Sequence, residues 1–374
     1  MRILVLNPGS SSLKASVIEP PGRDALAATA IAWGADATRS PDRASAIHAV
    51  LRDVAAAGVV RESIAAVGHR VVHGGALHTG PVRVDDAVLG AIDDLEPYAP
   101  LHNRIAAETI RAARAALPDA VHVAAFDTAF HAGLPEVAYR YPVPAHWSEA
   151  WGVRRYGFHG LSVAWSVTRA AELLGRPSGA LRLVVAHLGS GCSVTAVEGG
   201  RSVDTSMGMT PIEGLMMGSR SGSIDPGIVL ALIREGHATA AQLAEALEHG
   251  SGLLGVSGLS SDVRDLLAAE AAGDARARLA LAMFTRRAAA GIAAAATCLT
   301  GVDAVVFTGG IGEHSGTIRA RIVDRLGGIG VAPIVPADVE QDGPISTAAG
   351  APAILRIESR EDVVIAEAVA KIAR

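Results

Sequence analysis

Cysteine is almost absent: Cys192 and Cys298 stand alone in 374 residues, too few for a disulfide framework and in no metal-binding spacing. A reducing compartment, the cytoplasm, is therefore expected. Positive charge is not in surplus: 33 Lys and Arg against 38 Asp and Glu leave a net charge of -5. That composition offers no cationic field to nucleic acid. Long apolar runs are missing as well. The apolar start at 3–6 is cut by Asn7, Pro8 and Gly9, which argues against a signal peptide. The uncharged run 288–302, mostly Ala and Gly, is shorter than the roughly 20 residues of a membrane span and reads as a buried helix. Neither a nucleic-acid partner nor a membrane is expected. Two phosphate-binding signatures are lacking too, since no G-x-x-x-x-G-K-[ST] occurs and no G-x-G-x-x-G opens a helix after a strand.

Lysine and asparagine are nearly missing: Lys14 and Lys371, Asn7 and Asn103 are the only ones. The richness in Ala, Gly and Arg points to coding bias, against which Asn7 and Lys14 stand out; a turn Asn and a surface Lys remain the plain alternative.

At this length two domains with a ligand cleft are the first expectation, and 50% apolar with 19% charged residues suits a soluble globular enzyme. Apolar, β-branched runs at 1–6 and 13–18 flank the Gly/Ser turn 7–12, predicting strand, turn, strand. The pattern recurs at 183–186 and 194–197 around His187, Leu188, Gly189, Ser190, Gly191, Cys192 and Ser193, with a third strand at 201–205. Each half opening on such a hairpin reads as an internal duplication, one copy per domain. A strand at 305–307 and a glycine turn through Gly309, Gly310 and Gly312 lead to a predicted helix over 315–326 closed by Gly327. Ile47, Val50, Leu51 and Val54 fall at helical spacing before Gly58. Further helices are predicted at 105–117, 240–248, 276–299 and 361–372, and the two-proline stretch 139–144 as the domain junction. Strands alternating with helices make the protein α/β.

Glycine turns present successive N–H groups to anions, so 7–12 and 187–193 are phosphate-loop candidates, although each alone is equally an ordinary tight turn. Arg70 lies between apolar residues just before Gly74 and Gly75; Arg220 lies in Gly218-Ser219-Arg220-Ser221-Gly222-Ser223. Both are placed to fork onto a carboxylate or phosphate, and together to clamp a transferring phosphoryl group; the bland reading is a rim arginine paired with an acid. His159, beside Phe158 and between Gly157 and Gly160, is either a donor to a phosphoryl oxygen or a satisfied structural histidine. Asp127 follows a strand and is either an active-site acid or an ordinary cap.

The strings NPGSSSLK, GHRVVHGG, PLHN, FDTAFH, YGFHG, HLGSGCS, VDTSMGMTPIEGLMMGSRSGSIDP, VSGLSSDVRDL and FTGGIGE, in this order along nearly the whole chain, resemble the acetate kinase family. The resemblance implies two duplicated ribonuclease H-like α/β domains of the acetate and sugar kinase, heat-shock chaperone and actin superfamily. It implies an N-terminal domain of 1–138 plus 363–374, a C-terminal domain of 139–362, and an active site in the cleft between them. Arg70 and Arg220 would hold carboxylate and phosphoryl group, with His159 and Arg220 stabilising the transition state and Asp127 and Glu361 forming an acid pair. Asn7 and Glu361 would serve Mg²⁺ or Mn²⁺. Asn7, Ser10, Ser12 and Lys14 would form the first phosphate loop, and His187, Leu188, Gly189, Ser190 and Gly191 the second. Val72, Leu101, Phe158 and Pro211 would line the acyl pocket. Asp262, Val263, Arg264, Gly309, Gly310, Ile311, Gly312 and His314 would surround the adenosine of ATP or ADP. A homodimer is implied likewise.

The implied activity is reversible in-line transfer of the γ-phosphate of ATP to acetate, giving acetyl phosphate and ADP. A carboxylate nucleophile is already ionised at neutral pH, so alignment and charge neutralisation suffice. The alternatives are a propionate or butyrate kinase of the same family, or an ATPase switch of the same fold with no transferase activity. Departures from the family pattern are Ser190 where Asn is usual, Val163 for His, Val263 for Phe, His314 for Asn, Arg104 for Pro, and the stretch Ser359-Arg360-Glu361-Asp362.

Overall fold

The structure, a computed structural model, describes residues 1–9, 12–33, 42–346 and 350–374. It divides into two compact units. The first comprises Met1–Ala132, Phe158–Trp165 and Arg360–Arg374, and the second Gly133–Gly157 and Ser166–Ser359.

The first unit holds a six-stranded sheet of β1 (Arg2–Pro8), β2 (Ser12–Ile18), β3 (Ala25–Ala32), β4 (Ile64–Val71), β5 (Val82–Arg83) and β6 (Val121–Phe126), in the order β3-β2-β1-β4-β6-β5. β1 runs antiparallel to β2 and parallel to β4, and β4 parallel to β6. The continuous apolar run Ile3, Leu4, Val5 and Leu6 is wholly buried because β1 is covered on both faces, as parallel strands require. On one face lie helices Arg43–Ala56 and Pro100–Ala116, whose Ile47, Val50, Val54, Ile105 and Ala113 join Leu4, Leu6, Leu13, Val17 and Val67 in one core. On the other lies helix Glu361–Ile372. It approaches β4 so closely that a Cβ on Gly68 would sit 2.4 Å from Ile365 Cγ2. Glycine at 68 is therefore a packing requirement.

The second unit repeats this topology with β7 (Arg182–Leu188), β8 (Cys192–Glu198), β9 (Arg201–Thr205), β10 (Ala304–Thr308), β11 (Gly343–Pro344) and β12 (Ala353–Arg356), ordered β11-β12-β10-β7-β8-β9. Three antiparallel strands, two parallel ones and a short antiparallel sixth occur in the same sequence and the same sense in both sheets. The duplication expected from two hairpins thus extends over all twelve strands.

Helix Ala275–Thr297 packs on β7 and β8. It is the one helix among the described residues long and apolar enough, by length and composition, to cross a membrane. Its buried residues Ala277, Ala280, Leu281, Phe284, Ala288, Ile292 and Ala295 recur every three or four positions, while Arg276, Arg278, Arg286 and Arg287 are exposed. That is the pattern of a helix with one face in a core.

At 309–312 the structure differs from the expected turn. Residues Gly309–His314 form a short helix, and the next helix spans Gly316–Val323. Gly309 has φ +76°, and a Cβ there would lie 2.8 Å from the Leu188 carbonyl oxygen. Gly309 serves close approach to β7, and the Glu313 carboxylate accepts the Gly309 N–H at 2.8 Å, which starts the helix immediately.

Candidate active site

In the first unit, Asn7, Arg70 and Asp127 come to the C-terminal ends of the adjacent parallel strands β1, β4 and β6, where α/β sheets collect ligand-binding groups. Arg70 lies two residues from Gly68 and so shares its face of the sheet, toward helix Glu361–Ile372. Its guanidinium forks onto Asp127, with Nε donating to Oδ1 at 3.0 Å and a terminal nitrogen to Oδ2 at 2.6 Å. Its other terminal nitrogen donates to Asn7 Oδ1 at 3.1 Å. Asn7 Nδ2 in turn donates to Glu361 Oε2 at 2.8 Å, and that oxygen lies 3.5 Å from Arg70 Nε. Two carboxylates therefore face one guanidinium, leaving negative charge in excess. Burial opposes the Arg70 charge, but Asp127 and Glu361 outweigh it and raise the pKa. Burial pushes the Asp127 carboxyl upward and Glu361 adds to this, against the pull of Arg70.

Beside this cluster the chain is fastened by side-chain bonds to backbone. Asn103 accepts the His73 N–H and donates to the His73 carbonyl, both at 3.0 Å. The His73 ring meets Phe158 edge-on at 5.3 Å. Val72 and Phe158 are both buried. His159 is the one non-glycine with positive φ, +59°, among the described residues, a conformation that costs of order 1–3 kcal/mol and gathers at functional sites. A Cβ on Gly160 would lie 2.2 Å from the Asp127 carbonyl oxygen, so the segment bearing His159 rests directly on the chain at Asp127. Lys14 is exposed and cross-strand from Asn7. Ser12 Cα begins β2, and its carbonyl accepts the Gly9 N–H at 2.8 Å. Ser10 and the side chain of Leu101 lie outside the described residues.

In the second unit, His187 and Leu188 end β7, and the loop Gly189, Ser190, Gly191 is closed by Gly189 N–H donating to the Gly191 carbonyl at 3.0 Å. The Ser190 carbonyl accepts the Gly218 N–H at 3.0 Å, joining this loop to the segment bearing Arg220. Arg220 donates to the Pro211 carbonyl at 3.2 Å. Burial lowers its pKa, opposed by Glu248 and Cys192. Asp262 caps helix Val263–Ala271 through the Arg264 N–H and pairs with the Arg264 guanidinium at 2.6 Å. Val263 is buried, whereas Arg264 and His314 are exposed.

The structure thus brings Asn7, Arg70, Asp127 and Glu361 into one hydrogen-bonded cluster, and Ser190 into register with the Arg220 segment. Two residues had drawn no functional reading from sequence. Glu313 is buried and accepts both the Gly309 and Ser359 N–H groups, at 2.8 and 2.9 Å. His131 donates to the Phe158 carbonyl at 3.0 Å. The only signal for either was its place at the end of a quoted string, FTGGIGE or FDTAFH.

Comparison with known proteins identifies the family. The profile of the Acetokinase family matches residues 2–367, and the chain belongs to that family. It is 47% identical to the acetate kinase of Deinococcus deserti over 98% of this chain and 96% of that one, and 46% identical to that of Deinococcus radiodurans over 100% and 98%. Among solved structures, the acetate kinase of Porphyromonas gingivalis superposes with TM-score 0.88 at 34% identity over 100% of both chains. A propionate kinase of Francisella tularensis superposes with TM-score 0.90 at 33% identity over 99% of both. The fold is accordingly the duplicated α/β architecture of the acetate and sugar kinase, heat-shock chaperone and actin superfamily.

Proposed function

We propose that this chain is an ATP-dependent carboxylate kinase that converts acetate and ATP to acetyl phosphate and ADP, reversibly. The observation that carries the reading is Arg70: a guanidinium locked by Asp127 and Asn7 at the ends of parallel strands, immediately before the buried pair Val71 and Val72. A short acid needs one fixed cation for its carboxylate and a small apolar wall for its methyl group.

In the proposed reaction an acetate oxygen attacks the γ-phosphorus in line, the bond from that phosphorus to the β–γ bridging oxygen breaks, and ADP leaves with the electron pair. No proton is moved. Arg70 orients the acid, with Val72, Leu101, Phe158 and Pro211 around its methyl group; Arg220 and His159 donate to the oxygens of the phosphoryl group in transit, where charge is spread in a loose transition state. Ser10, Ser12 and Lys14, and the loop from His187 to Gly191, bind phosphate; Asp262, Val263, Arg264, Gly309, Gly310, Ile311, Gly312 and His314 bind the nucleoside. Mg²⁺ suits the cluster around Asn7 and Glu361, whose donors are all oxygen and whose two carboxylates outnumber the guanidinium. Among the described residues no three His, Cys, Asp or Glu side chains form a cage, as suits an ion that keeps water and phosphate ligands. When bound it would neutralise phosphate charge.

A homodimer is proposed as well, in the cytoplasm where ATP is held. Its support is helix Pro226–Arg234, which buries none of its residues and exposes Ile228, Leu230 and Ile233 by 50, 66 and 46%. Propionate is the second acid to consider, since one methylene changes binding in an apolar pocket by only about 1–3 kcal/mol. Trapping the acyl phosphate with hydroxylamine, with Mg²⁺, ATP and acetate, propionate or butyrate in turn, tests the reading. Acyl hydroxamate with the highest kcat/KM for acetate is expected; ATP hydrolysis with no hydroxamate would make the protein an ATPase switch.

A further inference from the structure

The left-handed backbone at His159 is held from both sides by one short turn. Residues 127–131 run from the acid that grips Arg70 through Thr128 and the 3-10 turn Ala129–His131. The first residue of this turn accepts the Gly160 N–H on its carbonyl at 2.9 Å. Its last, His131, reaches the Phe158 carbonyl at 3.0 Å. The residues before and after His159 are thus each tied to the same five-residue turn. A carbonyl can only accept, so His131 Nε2 carries the proton of that bond. The ring is fully buried, and burial lowers its pKa to about 4, so it is a neutral, permanent donor near pH 7. Nothing in the proposed reaction uses His131 directly.

We propose that His131 is a positioning residue for phosphoryl transfer: by holding the Phe158 carbonyl it fixes the left-handed conformation that aims the His159 imidazole. The inference rests on the reading of this site as a carboxylate kinase with His159 donating to the phosphoryl group. Its physical basis is that a strained backbone persists only where its surroundings over-determine it. Without the Nε2 donor, Phe158 loses its tie while Gly160 keeps its own, and the imidazole swings about that remaining anchor.

Steady-state kinetics of His131→Met, which fills the space but donates nothing, and His131→Gln, whose amide N–H can take the place of Nε2, test this, with circular dichroism verifying the fold of each. His131→Met is expected to lower kcat about ten- to hundredfold, the effect of an ångström-scale misplacement, with KM for acetate and ATP within about twofold. His131→Gln should recover kcat to within about threefold of wild type, and in a His159→Ala background His131→Met should add less than about threefold, because the two act as one unit. Unchanged kcat in His131→Met, or the same loss with and without the His159 side chain, overturns the proposal. If His131→Met does not fold, His131→Leu, which likewise donates nothing, and its cycle with His159→Ala decide on the same terms. Failure of the functional reading looks different, since wild type would then form no acyl hydroxamate. Positioning is still read in that case from the ring carbon–proton NMR signals of His159, which must move in His131→Met and return toward wild type in His131→Gln, and which stay fixed in both if the inference is wrong.

Discussion

Arg70 and Arg220 are the same residue type in the two units of a duplicated fold, and their surroundings are opposite. Arg70 is wrapped in negative charge: Asp127 holds it with two bonds, Glu361 stands 3.5 Å from its Nε, and its pKa is raised. Arg220 gives a hydrogen bond to a neutral carbonyl, that of Pro211, and burial lowers its pKa against the opposing pull of Glu248. A guanidinium already bound by a carboxylate fork is a fixed aligning device with little net charge to offer. One whose charge is opposed by burial is stabilised by an incoming anion. Duplication supplied two similar sheets, and on the proposed reading the arginine near the end of β4 and the one in the loop after β9 divide alignment from charge neutralisation between them.

Removing each arginine should break the comparison in a different observable. Arg70→Ala removes the cation that pairs with the buried Asp127. A stability loss of about 3–5 kcal/mol in denaturant unfolding is expected, as for a buried pair deprived of one partner, and acetate KM should rise more than ATP KM does. Adding Asp127→Asn should restore much of the stability while leaving acetate KM high; if the single variant is as stable as wild type, Arg70 is not held as described. In Arg220→Ala, where burial opposes the charge that is removed, folding free energy should change less, while kcat should fall about two to three orders of magnitude, typical for loss of one transition-state donor. Proportional losses of kcat and stability in both variants would erase the distinction between them.

The same asymmetry governed what the sequence revealed. The twin hairpins were legible because Gly and Ser interrupt β-branched runs, and β9 at 201–205 was placed with the bounds it has. β3 was not recognised, since Ala25–Ala32 is largely alanine and alanine is a poor strand signal. Nor was β4 recognised as a strand, because Gly68, His69 and Arg70 break its apolar run. Yet that break is where the site lies: Gly68 admits the helix bearing Glu361, and Arg70 meets that glutamate. Asn7, Arg70 and Asp127 each carried a local clue and Glu361 entered only through the family resemblance, whereas the bonds linking them span 57 to 354 positions, which no local pattern records. The glycines at 309–312 were misread as a turn for the same reason, since the constraint on Gly309 is the backbone of Leu188 across the sheet.

Acid sharpens the contrast between the units. The buried histidines among the described residues, His69, His73, His122 and His131, all lie in the first unit. His122 gives its Nε2 proton to the Leu117 carbonyl, so its Nδ1 must accept from His69 Nε2 at 3.0 Å, leaving both rings neutral. Burial holds His69 well below 6.5, lowers His122 and brings His131 to about 4. For a histidine whose folded pKa is depressed, the unfolded chain takes up the proton first as pH falls. Stability is therefore complete above about 6.5 and is lost as pH falls from there to about 4, by about 3 kcal/mol for a histidine moved as far as His131. Hydrogen exchange followed by mass spectrometry between pH 7 and 4.5, corrected for the intrinsic exchange rate, should show peptides of β4 and β6 losing protection before those of β7 and β10. His131→Gln should flatten part of that dependence, because glutamine binds no proton in either state. Equal acid sensitivity of the two sheets would mean that the buried histidines, and with them the support under His159, are not the neutral donors their hydrogen bonds describe.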